Sequence, residues 1–224
     1  MKNWRHIFWD WNGTLLNDVE ECIEIINKSL EKRDLKTLDR QEYLEKFQFP
    51  VVNYYKAIGF DFTKESFESA GQEYIDAYSE KMFDCSLHDA ALEILSKIRS
   101  AGLEQYVLSA LNADALEKCI EKFGLEKYFT RVRGLDDHYA NSKIELGKTL
   151  LREAKIDPQK AVLIGDTLHD YETASAMGID CVLVASGHNS SRRLKKCGVP
   201  VFDNLTELKN KLDVMLESAS FDQA

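Results

Sequence analysis

The chain has 224 residues, 44% hydrophobic and 30% charged, long enough to bury a core of one to two domains and too apolar for a disordered protein. Eleven glycines and three prolines exclude collagen-like and low-complexity classes. A net charge of −9 without a basic stripe speaks against nucleic acid and anionic membrane surfaces as partners, so any positive charge for an anionic substrate has to be local.

In chain order, the apolar run Ile7-Phe8-Trp9 stops at Asp10 and reads as a first buried strand. Residues 17–84 then lack any comparable run. They read as helices over Val19–Arg33, Asp39–Phe47, Val51–Ile58 and Lys64–Phe83, with 16 acidic residues against 9 basic. A stretch this long exceeds a single crossover, so it is expected to be a helical domain inserted after the first strand, with connections near Leu15–Asp18 and Asp84–Asp89. Residues 1–16 and 85–224 are then the core. There, strands are expected at Tyr106–Leu108 before Ser109, at Ala161–Ile164 before Gly165-Asp166, and at Cys181–Val184 before Ala185-Ser186-Gly187. Helices are expected over Ala90–Ala101, Asp114–Phe123, Ser142–Ala154, Asp170–Met177 and Leu205–Leu216. The alternation predicts βαβ units in a doubly wound, Rossmann-like parallel sheet. Ser218–Ala224 reads as a frayed tail.

The five cysteines have neither CxxC nor zinc-ligand spacing and read as buried, reduced thiols of a cytoplasmic protein. The first apolar run is too short for a signal-peptide core, and no stretch reaches the length of a membrane span. A monomer or weak homodimer is expected.

Asp10, Ser109 and Asp166 all follow strand-like runs. In open α/β sheets ligands bind outside the carboxyl ends of the strands, so the three side chains are expected to converge. Asp10-Trp11-Asn12-Gly13-Thr14-Leu15 joins a carboxylate to a glycine turn whose N–H groups suit a phosphate. Gly165-Asp166-Thr167-Leu168-His169-Asp170 sets two acids four residues apart. With Asp10 these acids make a hard, all-oxygen donor set of the kind that suits Mg²⁺. Lys143, at the start of a helix, supplies a point charge for a phosphoryl group. Trp9 and Trp11 are expected to pack in the core on the face opposite Asp10. The five histidines read as isolated surface or hydrogen-bonded residues.

With these motifs in this order, the sequence resembles the haloacid-dehalogenase superfamily of aspartate-nucleophile phosphatases, in particular the phosphoglycolate-phosphatase-like group with a helical cap. The resemblance implies that Asp10 attacks phosphorus and forms an aspartyl-phosphate. It implies that Mg²⁺ is held by Asp10, the Asn12 backbone carbonyl and Asp166, with Asp170 as a further ligand or as a partner through water or Lys143. It also implies that Ser109, the Ala110 N–H and Lys143 hold the phosphoryl oxygens, and that the substrate is a small phosphorylated metabolite such as a phosphoglycolate-like monoester. Lys46, the Phe47–Pro50 stretch and Lys56 are the cap segments expected to face it.

Asn12 departs from the family pattern, which carries a second aspartate there to protonate the leaving oxygen. An amide has no titrating proton for this. Turnover is therefore expected to be slower, restricted to leaving groups that need little protonation, or assisted by His88 or His169. The alternative from another class is a catalytically weak protein that binds phosphorylated ligands. Dehalogenation of organic acids fits poorly with the retained Asp166 and Asp170, and phosphomutase chemistry with the missing aspartate. An Asn12→Asp substitution is expected to raise turnover of alkyl phosphates.

Overall fold

Near-continuous apolar runs suit strands covered on both faces, and they build the sheet here. The computed structural model describes residues 4–135 and 143–212. In chain order, β1 (His6–Trp9) and β2 (Leu16–Asn17) precede four helices: α1 (Val19–Glu31), α2 (Arg40–Lys46), α3 (Val51–Ala57) and α4 (Phe67–Lys81). Then follow β3 (Ser86–Leu87), α5 (Ala91–Ser100), β4 (Glu104–Asn112), α6 (Ala113–Lys122), β5 (Arg131–Leu135), α7 (Lys143–Glu153) and β6 (Ala161–Gly165). The chain continues through α8 (Leu168–Met177), β7 (Asp180–Val184), α9 (Ser191–Leu194) and β8 (Val201–Phe202) to a last helix, α10 (205–212).

Six strands form one parallel sheet in the order β5-β4-β1-β6-β7-β8. Counted along the chain this is the order 3-2-1-4-5-6 of a doubly wound fold, with its switch point between β1 and β6. Strand alternation splits the core in two. Trp9, Val107, Val162 and Ile164 pack on one face, and Phe8, Tyr106, Leu108 and Leu163 on the other. The first cluster runs on without a break through Trp11 and Leu15 into Val19, Ile26, Tyr43 and Tyr54 of the helices that follow β2. These helices leave and rejoin the sheet through the antiparallel pair β2–β3, where Leu16 faces Leu87.

The four expected strands are present, and two more lie at the sheet edges. β5 reads Arg-Val-Arg-Gly-Leu and β8 has two residues, so neither offers a continuous apolar run. β4 also extends beyond Leu108, through a register shift, to Asn112. Ser109 and Ala110 therefore lie within the strand rather than after it. The expected helices are all found among the described residues, and α9 is additional. Ser142, His138 and the expected tail lie outside the described residues.

Trp9 is fully buried, and its indole N–H donates to Gln105 Oε1 at 3.0 Å. Trp9→Ala should cost about 3–5 kcal/mol, read as a lower urea midpoint with an unchanged slope.

Candidate active site

β1 and β6 end side by side, with the Asp10 N–H donating to the Ile164 carbonyl at 2.9 Å. The register sets Asp10 and Asp166 directly after the two strands that flank the switch point. Asp170 comes from the first turn of α8, where it forms a capping box with Thr167. Its Oδ2 accepts from the Thr167 N–H at 2.9 Å and the Thr167 hydroxyl at 2.6 Å. Lys143 opens α7 and donates to Asp10 Oδ1 and Asp170 Oδ1, both at 2.5 Å. All four charged side chains are buried.

Burial pushes the Asp10 carboxyl well above its ordinary range. The Asp170 charge adds to this, while Lys143 opposes it. Burial likewise raises Asp166 to about 6, against the nearby His188. For Asp170 burial is outweighed by Lys143 and the Thr167 hydroxyl, so its carboxyl is lowered. Burial also disfavours the Lys143 ammonium, but Asp10 and Asp170 more than restore it. Asp10, Asp166 and Asp170 offer oxygen atoms within 4.8 Å of one another. With one ammonium among three carboxyl groups, ionising all three would leave two negative charges uncompensated, and hard oxygen donors around such a deficit fit a divalent cation of the Mg²⁺ type.

A second cluster of charge borders the first. Asp18 is fully buried. Its Oδ1 accepts from the Gly13 N–H at 2.8 Å and faces His188 Nε2 at 3.2 Å. Its Oδ2 accepts from Asn12 Nδ2 at 2.8 Å and from the Tyr78 hydroxyl at 2.6 Å. The other ring nitrogen of His188 meets the Tyr43 hydroxyl at 2.9 Å. Burial works against charge on both partners, but their mutual attraction and hydrogen bond prevail. Asp18 falls to about 2 and His188 rises to about 9. The His188 backbone N–H also donates to Asp166 Oδ2 at 2.6 Å, and Thr14 donates to Asp166 Oδ1 at 2.7 Å. Gly13 makes this approach possible. Its φ is +72°, and a Cβ there would lie 2.5 Å from both Asp166 Oδ2 and His188 Cδ2.

The segment carrying His188 also grips α2. Arg193 donates to the carbonyls of Leu44 at 2.9 Å and Phe47 at 2.6 Å, at the carboxyl end of that helix. Asn189 donates to the Phe47 carbonyl at 3.0 Å, and Ser190 and Arg192 bind Glu45. Phe47 and Phe49, from the stretch expected to face substrate, line a recess with His169, Asn189 and Arg193. The His169 ring stacks on Phe49 with centroids 4.5 Å apart. Lys56 is exposed.

Of the expected site residues, Asp10, Asp166, Asp170 and Lys143 meet directly. Asn12 binds Asp18 and Tyr78. The Ser109 hydroxyl is buried and accepts from the Leu111 N–H at 3.0 Å, one residue before the half-buried Ala110. Asp18, Tyr43, Tyr78 and His188 were not expected. His188 had one signal: it follows β7 as Asp166 follows β6, so its loop opens on the same edge of the sheet.

A family model for haloacid dehalogenase-like hydrolases matches residues 7–184. The chain belongs to that family. Among its relatives is the tyrosine-protein kinase PtkA of Mycobacterium tuberculosis. That protein is 28% identical over 155 residues, which are 67% of this chain and 53% of PtkA, so the chain spans about half the length of this relative. The solved PtkA structure superposes with a TM-score of 0.78 over 95% of this chain and 99% of that one, at 23% identity. The N-acetylmuramic acid 6-phosphate phosphatase of Pseudomonas aeruginosa is 26% identical, covering 81% of this chain and 82% of its own. The phosphoglycolate phosphatase of Rhodospirillum rubrum is 22% identical, covering 90% and 88%.

The Asp18–His188 pair makes stability depend on pH. The folded pKa of His188, about 9, lies above its unfolded value of about 6.5. The contribution is complete below pH 6.5 and is lost as pH rises toward 9. In EDTA the melting temperature should fall across that window, and His188→Gln should flatten the fall. Lys143→Met, which strands Asp10 and Asp170, should cost about 3–5 kcal/mol in the same buffer, read by urea unfolding.

Proposed function

We propose that the chain is a phosphatase that hydrolyses small phosphorylated metabolites through an aspartyl-phosphate formed on Asp10. The observation that carries this reading is Asp10 itself, a buried carboxylate at the switch point, ion-paired with Lys143 and gathered with Asp166 and Asp170. The phosphatases among its relatives support the same reading.

In this reading Mg²⁺ is the cofactor. Asp10, Asp166 and the Asn12 backbone carbonyl would hold it, with Asp170 as a further ligand or a partner through Lys143. When bound it offsets the repulsion between the Asp10 carboxylate and the phosphate and orients in-line attack. Asp10 attacks phosphorus, and the bond from phosphorus to the leaving oxygen breaks. Lys143, the Ala110 N–H and the Ser109 hydroxyl, which keeps its proton while accepting from Leu111, hold the phosphoryl oxygens. Water then hydrolyses the aspartyl-phosphate and frees Asp10. Residues 17–84 act as a cap over a core of residues 1–16 and 85–224. α2 brings Tyr43 to His188 in the segment after β7, and α4 brings Tyr78 to Asn12 and Asp18, which supports a role in excluding water and choosing substrate. Five cysteines without a disulfide fit a reducing, cytoplasmic compartment.

With 4-nitrophenyl phosphate, turnover should require Mg²⁺ and stop in EDTA. Asp10→Asn should abolish it while circular dichroism stays unchanged, and beryllofluoride should attach at Asp10 of the wild type. Wild-type rates in Asp10→Asn would end the aspartyl-phosphate reading.

A further inference from the structure

Proton-bearing side chains are plentiful around Asp10, and nearly all are committed. The Lys143 ammonium is held by Asp10 and Asp170. The Thr14 hydroxyl donates to Asp166, and the Thr167 hydroxyl to Asp170. His188 has one ring nitrogen on Asp18 and the other on Tyr43. The Tyr78 hydroxyl donates to Asp18.

Asn12, two residues after the nucleophile, is committed as well. Its Nδ2 donates to Asp18 Oδ2 at 2.8 Å and to the Tyr78 hydroxyl oxygen at 2.5 Å. An amide nitrogen suits this place, because Asp18 is a fully buried acceptor that needs donors. A carboxylate at position 12 would set two buried anions in contact and remove one of the donors that hold Asp18 in place. Asn12→Asp alone is therefore no simple restoration of a proton donor. The amide at 12 and the carboxylate at 18 depend on each other.

We propose that Asn12 and Asp18 form a mutually dependent amide–carboxylate pair that confines this enzyme to phosphoryl donors whose leaving group departs without a proton, namely acyl phosphates, phosphoanhydrides and aryl phosphates. The proposal rests on the phosphatase reading and moves the substrate class away from phosphoglycolate-like alkyl esters. In the first step an Asp10 oxygen bonds to phosphorus, and the leaving oxygen departs as an anion with the bonding pair. In the second, a water oxygen bonds to phosphorus and the bond to Asp10 breaks. Both water protons stay on the product, which leaves as H₂PO₄⁻, and Asp10 returns as a carboxylate.

The test compares kcat/KM for acetyl, 4-nitrophenyl, phenyl and ethyl phosphate in Mg²⁺. This ratio reports the step in which the leaving group departs. In the wild type, acetyl and 4-nitrophenyl phosphate should exceed ethyl phosphate by at least about 10²-fold beyond their solution reactivity, the size of a missing general acid. Asn12→Asp alone should lower the melting temperature and leave this ratio unchanged. The exchange Asn12→Asp with Asp18→Asn moves the carboxyl to position 12 and keeps one amide and one acid, so the ratio should contract by about 10²-fold. A wild-type series that tracks solution reactivity overturns the proposal while leaving the phosphatase reading intact. It would point to His88, whose buried Nε2 has no partner, as the donor. Equal contraction in Asn12→Asp alone would overturn the dependence of the pair. Absence of turnover on all four substrates would overturn the phosphatase reading and the proposal together. If the exchanged protein does not fold, the wild-type series and the single substitution still decide.

Discussion

Lys143 places one buried positive charge 2.5 Å from both Asp10 and Asp170, and buried charges are tolerated only when paired and hydrogen-bonded. The rest of the edge is built around that requirement. Asp170 caps α8, so its second oxygen is satisfied by the helix it begins. Asp166 takes a hydroxyl from the loop after β1 and an N–H from the loop after β7. Four carboxylates, including Asp18, are thus gathered from three separate segments against two cations, Lys143 and His188. The sheet makes the gathering possible by ending β1 and β6 in register, and Gly13 makes it sterically possible where the loops meet.

Local signals carried most of the fold and half of the site. Strands buried on both faces have to be apolar at nearly every position, so β1, β6 and β7 were legible as runs. Edge strands are relieved of that demand. β5 carries two arginines and β8 pairs over two residues, so neither has such a run. Ser109 interrupts the apolar run of β4, and pairing resumes at Asn112 only after a register shift, which is why the strand reads as ending four residues early. Asp10, Asp166, Asp170 and Lys143 could be found because each stands at the end of a strand or the start of a helix. Asp18, Tyr43, Tyr78 and His188 could not, because their meaning lies in contacts spanning up to 170 residues of chain. Nothing near Tyr78 in the sequence says that its hydroxyl ends on Asp18.

The segment from Gly187 to Arg193, which runs into α9, links the carboxylate cluster to the helices over it. One end touches Asp166 through a backbone N–H and Asp18 through an imidazole; the other holds the last carbonyls of α2. Carbonyls at a helix carboxyl end lack intrahelical partners, so Arg193 and Asn189 supply bonds that α2 cannot make for itself. Lifting α2 from this segment would free those carbonyls, break Tyr43 from His188, and leave the imidazole with Asp18 alone. The position of the helices and the electrostatics at Asp166 are in this way parts of one hydrogen-bonded assembly.

The same coupling gives position 12 contacts that the motif alone does not show. In the motif alone, Asn12 stands where the family pattern carries an acid. In the folded chain it is a donor to a carboxylate six residues on, and that carboxylate also receives Gly13, Tyr78 and His188. Asp18 in turn anchors His188, whose backbone orders Asp166. Restoring an acid at position 12 would therefore disturb the positioning of a carboxylate in the main cluster before it added any proton transfer. Asn12 and Asp18 are joined by a hydrogen bond, and the motif contains only one of the two.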